Sequence, residues 1–233
     1  MEDTPVEDSP PVVECLFDIF FSGIALSILA PLLLPLIFLL RITGEGEIFF
    51  LQNRVGRNGL NFKLYKFVTM LKDSPNMGTG TVTLHNDPRV LPLGGFLRKT
   101  KINELPQLIN IFKGDMSVIG PRPQTQRCFD AFPISSQVEI IKVRPGLSGV
   151  GSIVFRHEEE MMHANNDPDK FYDEIVMPYK GSLEQWYVSH QSIWSYFCLI
   201  GLTAWVVLFP RSNLVWRLFK DLPVSPVNLD PWM

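Results

Sequence analysis

The pattern of apolar positions picks out two long runs. The first, "FDIFFSGIALSILAPLLLPLIFLL" at residues 17 to 40, predicts a helix. Its part from Ile24 to Leu40 would be about 26 Å long, and with Ile19 to Gly23 added it reaches the ~30 Å of a hydrocarbon core. Pro31 and Pro35 lie mid-run, where each removes a backbone donor and crowds the carbonyl one turn back. The helix is therefore expected to break at Pro31 and return to the leaflet it entered; a kinked spanning helix fits the same residues. The second run, "LEQWYVSHQSIWSYFCLIGLTAWVVLFP" at residues 183 to 210, mixes tryptophan and tyrosine with polar residues before an almost wholly apolar second half. That mixture predicts an amphipathic helix lying in a membrane interface, with a second spanning helix or a core helix as the alternatives.

Between the runs the pattern is that of a soluble mixed α/β region. "EIFFLQNRVGRNGLNFKLYKF" alternates apolar and polar residues on both sides of "GRNG", which predicts a hairpin. Asn86-Asp87-Pro88 signals a turn, and Leu105, Leu108, Ile109 and Phe112 stand at helical spacing before Gly114. The chain divides accordingly into an acidic, proline-rich tail at 1–16, a re-entrant membrane helix at 17–42, a central region at 43–182, an interfacial helix at 183–210 and a C-terminal tail at 211–233. No internal repeat is present.

Composition narrows the function. At 233 residues the chain suits one domain with attachments, and a net charge of −3 argues against a nucleic-acid coating protein. Cys15, Cys128 and Cys198 are odd in number and far apart, without the spacing of a disulfide framework or zinc site, which fits a reducing compartment. The stretch before the first run, "MEDTPVEDSPPVVE", is acidic where a secretory leader is basic. Arg41, Arg54, Arg57, Lys63 and Lys66 follow that run and favour a cytoplasmic side for the central region.

Chemistry concentrates in "RKTKINELPQLINIFKGDMSVIGPRP", residues 98 to 123. A basic cluster, a carboxylate, a helical pattern, a glycine turn and an arginine between two prolines follow in close order. Together with "QNRVGRNG", "LYKFVTM", the upstream "NDPRVLPLGGFL" and "VRPGLSGVGSI", in this order, the stretch resembles the bacterial sugar transferase family, the small monotopic phosphoglycosyl transferases. The resemblance covers roughly residues 17 to 209, and "ELPQL…N…KGDMS…GPRP" is its most specific part.

The resemblance implies a membrane-associated monotopic α/β (α+β) enzyme with the catalytic region at 43–182. It would move a sugar-1-phosphate from a nucleotide sugar, a UDP-sugar, to polyprenol (undecaprenyl) phosphate, giving polyprenol diphosphate sugar and UMP. That is the first membrane step of a bacterial glycoconjugate pathway, at the cytoplasmic face of the inner membrane. The family's helix-breaking proline corresponds to Pro31. Magnesium is the implied cofactor. Nucleotide sugar, polyprenol phosphate, the lipid bilayer and downstream glycosyltransferases are the implied partners; a homodimer is left open and no nucleic acid is involved.

Physical chemistry asks for the same parts. Attack on a diphosphate needs a nucleophile in line with the leaving group, a divalent cation and fixed positive charge. Lys66, Arg98, Arg122 and Arg144 are the expected substrate-binding residues, the arginines because they grip phosphate bidentately. Their alternative is a solvated basic face. The family's catalytic and metal-binding pair is Asp-Glu, and here it reads Asn103-Glu104. A carboxamide is neither an anionic nucleophile nor a strong magnesium ligand. Three readings are open: an introduced substitution that stops turnover, a natural variant using another carboxylate such as Glu104 or Asp115, or a catalytically silent membrane adaptor. "RHEEEMMH", residues 156 to 163, matches no metal motif and reads as a solvated charged helix, with Arg156 and this acidic run as candidates for tuning sugar choice.

Overall fold

A computed structural model describes residues 12–43, 45–77, 87–156, 158–163, 167–210, 212–226 and 229. In chain order the elements are α1 (Val12–Thr43), β1 (Phe49–Val55), β2 (Asn61–Phe67), α2 (Gly94–Lys99), α3 (Gln107–Lys113), β3 (Ser117–Ile119), α4 (Gln126–Asp130), α5 (Ile134–Ile140), β4 (Gly146–Ser148), α6 (Val150–Val154), α7 (Glu158–His163), α8 (Pro168–Phe171), α9 (Met177–Ser189), α10 (Ile193–Leu208) and α11 (Leu214–Leu218). The chain sorts into two compact units with interleaved segments. One takes in the start of α1 as far as Asp18, the hairpin tip Arg54–Phe62 and the described residues from Gly114 onward; the other takes Ile19–Asn53 and Lys63–Lys113.

In the second of these units, α1 packs Leu33 and Leu40 against Phe67 of β2 and Leu97 of α2. Its other side, including Phe20, Ile24, Ile28, Leu32, Leu34 and Phe38, is exposed. So large an uncovered apolar strip marks a contact surface rather than a water-facing one. The helix is long and apolar enough to cross a membrane. It continues as helix through Pro31 and Pro35, so the chain does not leave helical structure at Pro31, as the sequence had suggested. Both prolines lie on the exposed side, where the ring displaces no packed neighbour.

The hairpin forms as the alternation predicts, with Asn58 and Gly59 at positive φ in the tip. A lone two-stranded hairpin is marginal, and α3 supports this one. The Asn110 side chain, fully buried, donates to Lys63 O at 2.8 Å and accepts from Tyr65 N at 3.0 Å. The predicted helix at residues 105–112 is α3, ended by Gly114 at φ 85°. Its buried face is Gln107, Leu108, Asn110 and Ile111, whereas Phe112 is half exposed. The phase differs because Ile102–Glu104 forms a separate 3-10 turn, so the helix begins after Pro106.

The other unit centres on α9. Met177, Leu183 and Tyr187 are buried there, with α5, α6 and the π-turn Tyr172–Val176 packed around the helix. β3 and β4 pair in parallel, Ser117 with Gly146 and Ile119 with Ser148. Residues 183–210, expected as one interfacial helix, form two: the end of α9, which is core, and α10. The division comes from Ser192, whose hydroxyl accepts from Ser195 N while Ser195 Oγ accepts from Ser192 N, a reciprocal cap that starts a new helix. The outer face of α10, with Trp194, Phe197, Trp205, Val207 and Leu208, remains exposed. The acidic run is not simply solvated either. Glu158 bonds the buried Lys180 through both carboxylate oxygens, at 2.8 and 2.9 Å, and Met161 is buried. His157 and Asn86 lie outside the described residues, as do the first eleven residues of the acidic tail.

Asn110→Ala removes the partner of two part-buried strand groups and is expected to lower stability by about 1–3 kcal/mol. Thermal unfolding in detergent checks this: a midpoint no lower than that of the surface variant Leu60→Ala would show that the amide bonds contribute nothing.

Candidate active site

The expected site residues are distributed over both units. In the α1–α3 unit, α2 ends at Lys99, and Lys101 then takes the left-handed conformation, φ 59°. A lysine there is strained, since its Cβ crowds the next carbonyl. The sharp reversal folds the 3-10 turn Ile102–Glu104 back on α2. It brings Glu104 to Lys66 at the end of β2, with Nζ to Oε1 3.6 Å and both side chains about one-fifth exposed. The Asn103 Oδ1 atom is buried and has no hydrogen-bond partner. Such an orphaned acceptor costs free energy and calls for an explanation. Arg98 Nη1 reaches Met70 Sδ at 3.5 Å. Lys66, Asn103 and Glu104 thus form one cluster, with Arg98 on the adjoining helix.

In the α4–α11 unit, "GPRP" follows β3. Arg122 is partly buried, and its backbone N–H donates to Glu184 Oε1 at 3.3 Å. Pro121, Arg122 and Pro123 line a shallow cleft with Val55, Phe129, Phe132 and Ile140. Arg144, expected at phosphate, lies elsewhere: its Nη2 bonds Asp18 Oδ2 at 2.8 Å and its Nη1 bonds Met116 O at 3.2 Å, both in the interior. Asp18 is fully buried on α1 and requires a cation beside it, so Arg144 is a structural partner. Arg156, the candidate for sugar choice, has its Nε and Nη1 buried without hydrogen-bond partners, and burial pushes its guanidinium pKa down.

Glu184 went unnoticed in the sequence. It is fully buried on α9, and burial raises its pKa to about 7 against the opposing pull of the Arg122 N–H, Lys180, the Arg122 charge and the Gly151 N–H. Its one sequence signal is a lone acid within the apolar "LEQWYV". Asp18 carried the same signal in "FDIFF". Among the described residues no three histidine, cysteine, aspartate or glutamate side chains gather as a metal site.

A helix with an uncovered apolar face, joined to an α/β body that carries a carboxylate–cation cluster, makes this a membrane-associated protein. Residues 10–210 match the family described as bacterial sugar transferase. The chain belongs to that family. It is similar to the galactosyl transferase CpsE of Streptococcus agalactiae serotype III (strain NEM316), 40% identical over 173 residues, 70% of this chain and 35% of that protein. It is similar to the exopolysaccharide production protein ExoY of Rhizobium meliloti (strain 1021), 36% identical over 156 residues, 61% of this chain and 69% of that protein. A third relative is the UDP-N-acetylgalactosamine-undecaprenyl-phosphate N-acetylgalactosaminephosphotransferase of Aeromonas hydrophila, 39% identical over 139 residues, 59% of this chain and 33% of that protein. The chain spans about a third of the length of the first and third of these and about two thirds of ExoY.

A glutamate whose folded pKa lies above its unfolded value of 4.5 binds its proton more tightly when folded. The stability this contributes is complete below about pH 4.5 and is lost as pH rises through about 7. Glu184→Gln removes the titration. The parent protein should therefore lose up to about 3 kcal/mol relative to the variant between pH 5 and pH 8. Parallel thermal midpoints for the two proteins across that range would rule out the buried, proton-binding acid.

Proposed function

We propose that the protein transfers a sugar-1-phosphate from a UDP-sugar to undecaprenyl phosphate, releasing UMP, at the cytoplasmic face of the inner membrane. The observation that carries this reading is the Lys66–Asn103–Glu104 cluster, with its orphaned buried oxygen, at the head of the family's most specific motif, which begins at Glu104. The name of the Aeromonas relative states a UDP-sugar donor and an undecaprenyl-phosphate acceptor for that protein. The product, a polyprenol diphosphate sugar, is a substrate for glycosyltransferases that extend the glycan.

The cluster's chemistry follows from its charges. Lys66 faces the Glu104 carboxylate, and the two place a cation and an anion side by side in a part-buried setting. Arg98 in one unit and, separately, Arg122 in the other each carry the guanidinium fork that suits phosphate oxygens, and the unpartnered Arg156 nitrogens would bind an anion for the same reason. Asn103 and Glu104 fit magnesium as a pair of adjacent oxygen donors, because this ion commonly takes one or two protein ligands and completes its shell with phosphate and water. Bound there, it would neutralise the diphosphate. Asn103 would hold this ion only weakly and cannot attack phosphorus, so the chain binds donor well and forms a covalent phosphosugar poorly. That neutrality also favours a second reading, a silent adaptor that holds nucleotide sugar or polyprenol phosphate for a partner.

For topology, we propose that α1 enters and leaves one leaflet and that α10 lies in the interface. Support comes from the exposed apolar strip of α1, which carries Pro31 and Pro35 at mid-length, and from the exposed apolar face of α10.

Asn103→Asp restores an anionic nucleophile of nearly equal size, and UMP release should rise by on the order of 10² or more. A phosphosugar adduct should appear on the introduced aspartate by mass spectrometry. Equal turnover by the parent chain, with the adduct on Glu104 or on no residue, would show that Asn103 is a native solution; no release by either protein would favour the adaptor.

Cysteine labelling of the segment before Val12 tests the topology. We expect it on the cytoplasmic side in the parent chain and displaced to the opposite side when Pro31 and Pro35 are both changed to leucine. A cytoplasmic location in both proteins would relieve the prolines of that role, and a periplasmic location in the parent would end the one-leaflet arrangement.

A further inference from the structure

We propose that Glu184 is a positioning residue for Arg122: its carboxylate holds the Gly120–Pro123 turn against the start of α6 and so fixes where the Arg122 side chain meets the donor diphosphate. The second half of this inference rests on the transferase reading above.

The geometry begins with a shortage of donors. In Pro121-Arg122-Pro123 only Arg122 has a backbone N–H, and that N–H goes to Glu184 Oε1 at 3.3 Å. On the other side, Gly151 presses against the same oxygen: a Cβ there would fall 2.4 Å from Oε1, and the Gly151 N–H also bonds the carboxylate. Only glycine permits this approach. One buried oxygen therefore joins the turn after β3 to the first turn of α6, two segments that come from the separate sequence motifs "GPRP" and "RPGLSGVGSI". Gly120 secures the same turn from behind, its N–H donating to Ser148 O at 2.9 Å.

Among the described residues, no other hydrogen bond in the packing calls for an acid at this point. The second carboxylate oxygen is buried without a hydrogen-bond partner, and Lys180, one turn earlier on α9, has its ammonium bonded to Glu158. A leucine would fill the space without the cost of burying a carboxylate. What the acid adds is a fixed acceptor for Arg122. The charged and titratable groups around it are Lys180 and Tyr187 on α9, Arg122 itself, and Glu158 behind Lys180. α6 carries no charged residue, Glu139 on α5 is paired with Lys142 near the surface, and Asp173 of the π-turn pairs with Arg127.

The test uses the full chain in nanodiscs, as parent, Glu184→Gln and Glu184→Ala. Hydrogen exchange is followed at residues 120–123, where only Gly120 and Arg122 have an N–H, and is corrected for intrinsic rates. Glu184→Ala should speed exchange at Arg122 by on the order of tenfold or more, and Glu184→Gln, which keeps the acceptor, should restore protection. In UMP release, Glu184→Ala should raise KM for the UDP-sugar by on the order of tenfold with kcat little changed, and the change in KM between pH 6 and 8 should be absent in Glu184→Gln. Unchanged exchange at Arg122 in Glu184→Ala overturns the proposal. So does an unchanged KM alongside intact turnover, or a loss of thermal midpoint in both variants with no effect specific to Arg122. The exchange arm needs no turnover: lost protection in a protein that releases no UMP would uphold the anchor and count against the transferase reading instead.

Discussion

A single buried carboxylate organises the start of this molecule. Asp18 sits in the first half of a largely apolar helix, fully out of solvent, and receives three donors: the Arg144 guanidinium, the Tyr196 hydroxyl at 2.7 Å and the Val118 N–H at 2.9 Å. These come from the approach to β4, from α10 and from β3. An acid this deep is tolerated only when several partners converge on it, and each partner is in turn held in place by it. The parallel pairing of β3 with β4, the seating of α10 and the entry of α1 are thus coupled through one side chain. A hydrophobic residue there would remove the cost of burying charge, and with it the directional bonds that select this arrangement.

Local order was legible in the sequence because local rules produce it. The hairpin, the end of α3 at Gly114 and the apolar run of α1 each follow from periodicity and turn residues within a few positions. The division between α9 and α10 was less visible, since its signal is a serine pair in "SIWS" rather than the more familiar serine–glutamate box. Within the candidate site, Lys66 stands beside Glu104, the neighbour of Asn103, and Arg98 lies on the adjoining helix.

What escaped the sequence was long-range polar pairing. Asp18 and Arg144 are more than a hundred positions apart, as are Glu14 and Gln191, and Arg122 and Glu184 are separated by more than sixty. No periodicity announces such pairs. The arginines looked interchangeable as phosphate ligands, yet Arg144 is spent on an internal acid while Arg156 has nitrogens to spare. Burial, which the one-dimensional pattern encodes only for apolar residues, separates the two roles. The same holds for Lys180, whose charge disappears into the interior because Glu158 comes with it.

Asn110 has a consequence for solubility. A two-stranded sheet leaves two edges on which another polypeptide could align its own backbone, a route to aggregation during synthesis or when the membrane is lacking. By taking both the Tyr65 N–H and the Lys63 carbonyl, the asparagine amide imitates a neighbouring strand for one residue and occupies that edge from within the same chain. A helix residue here does the work of a third strand, closing one docking edge of the hairpin to foreign strands.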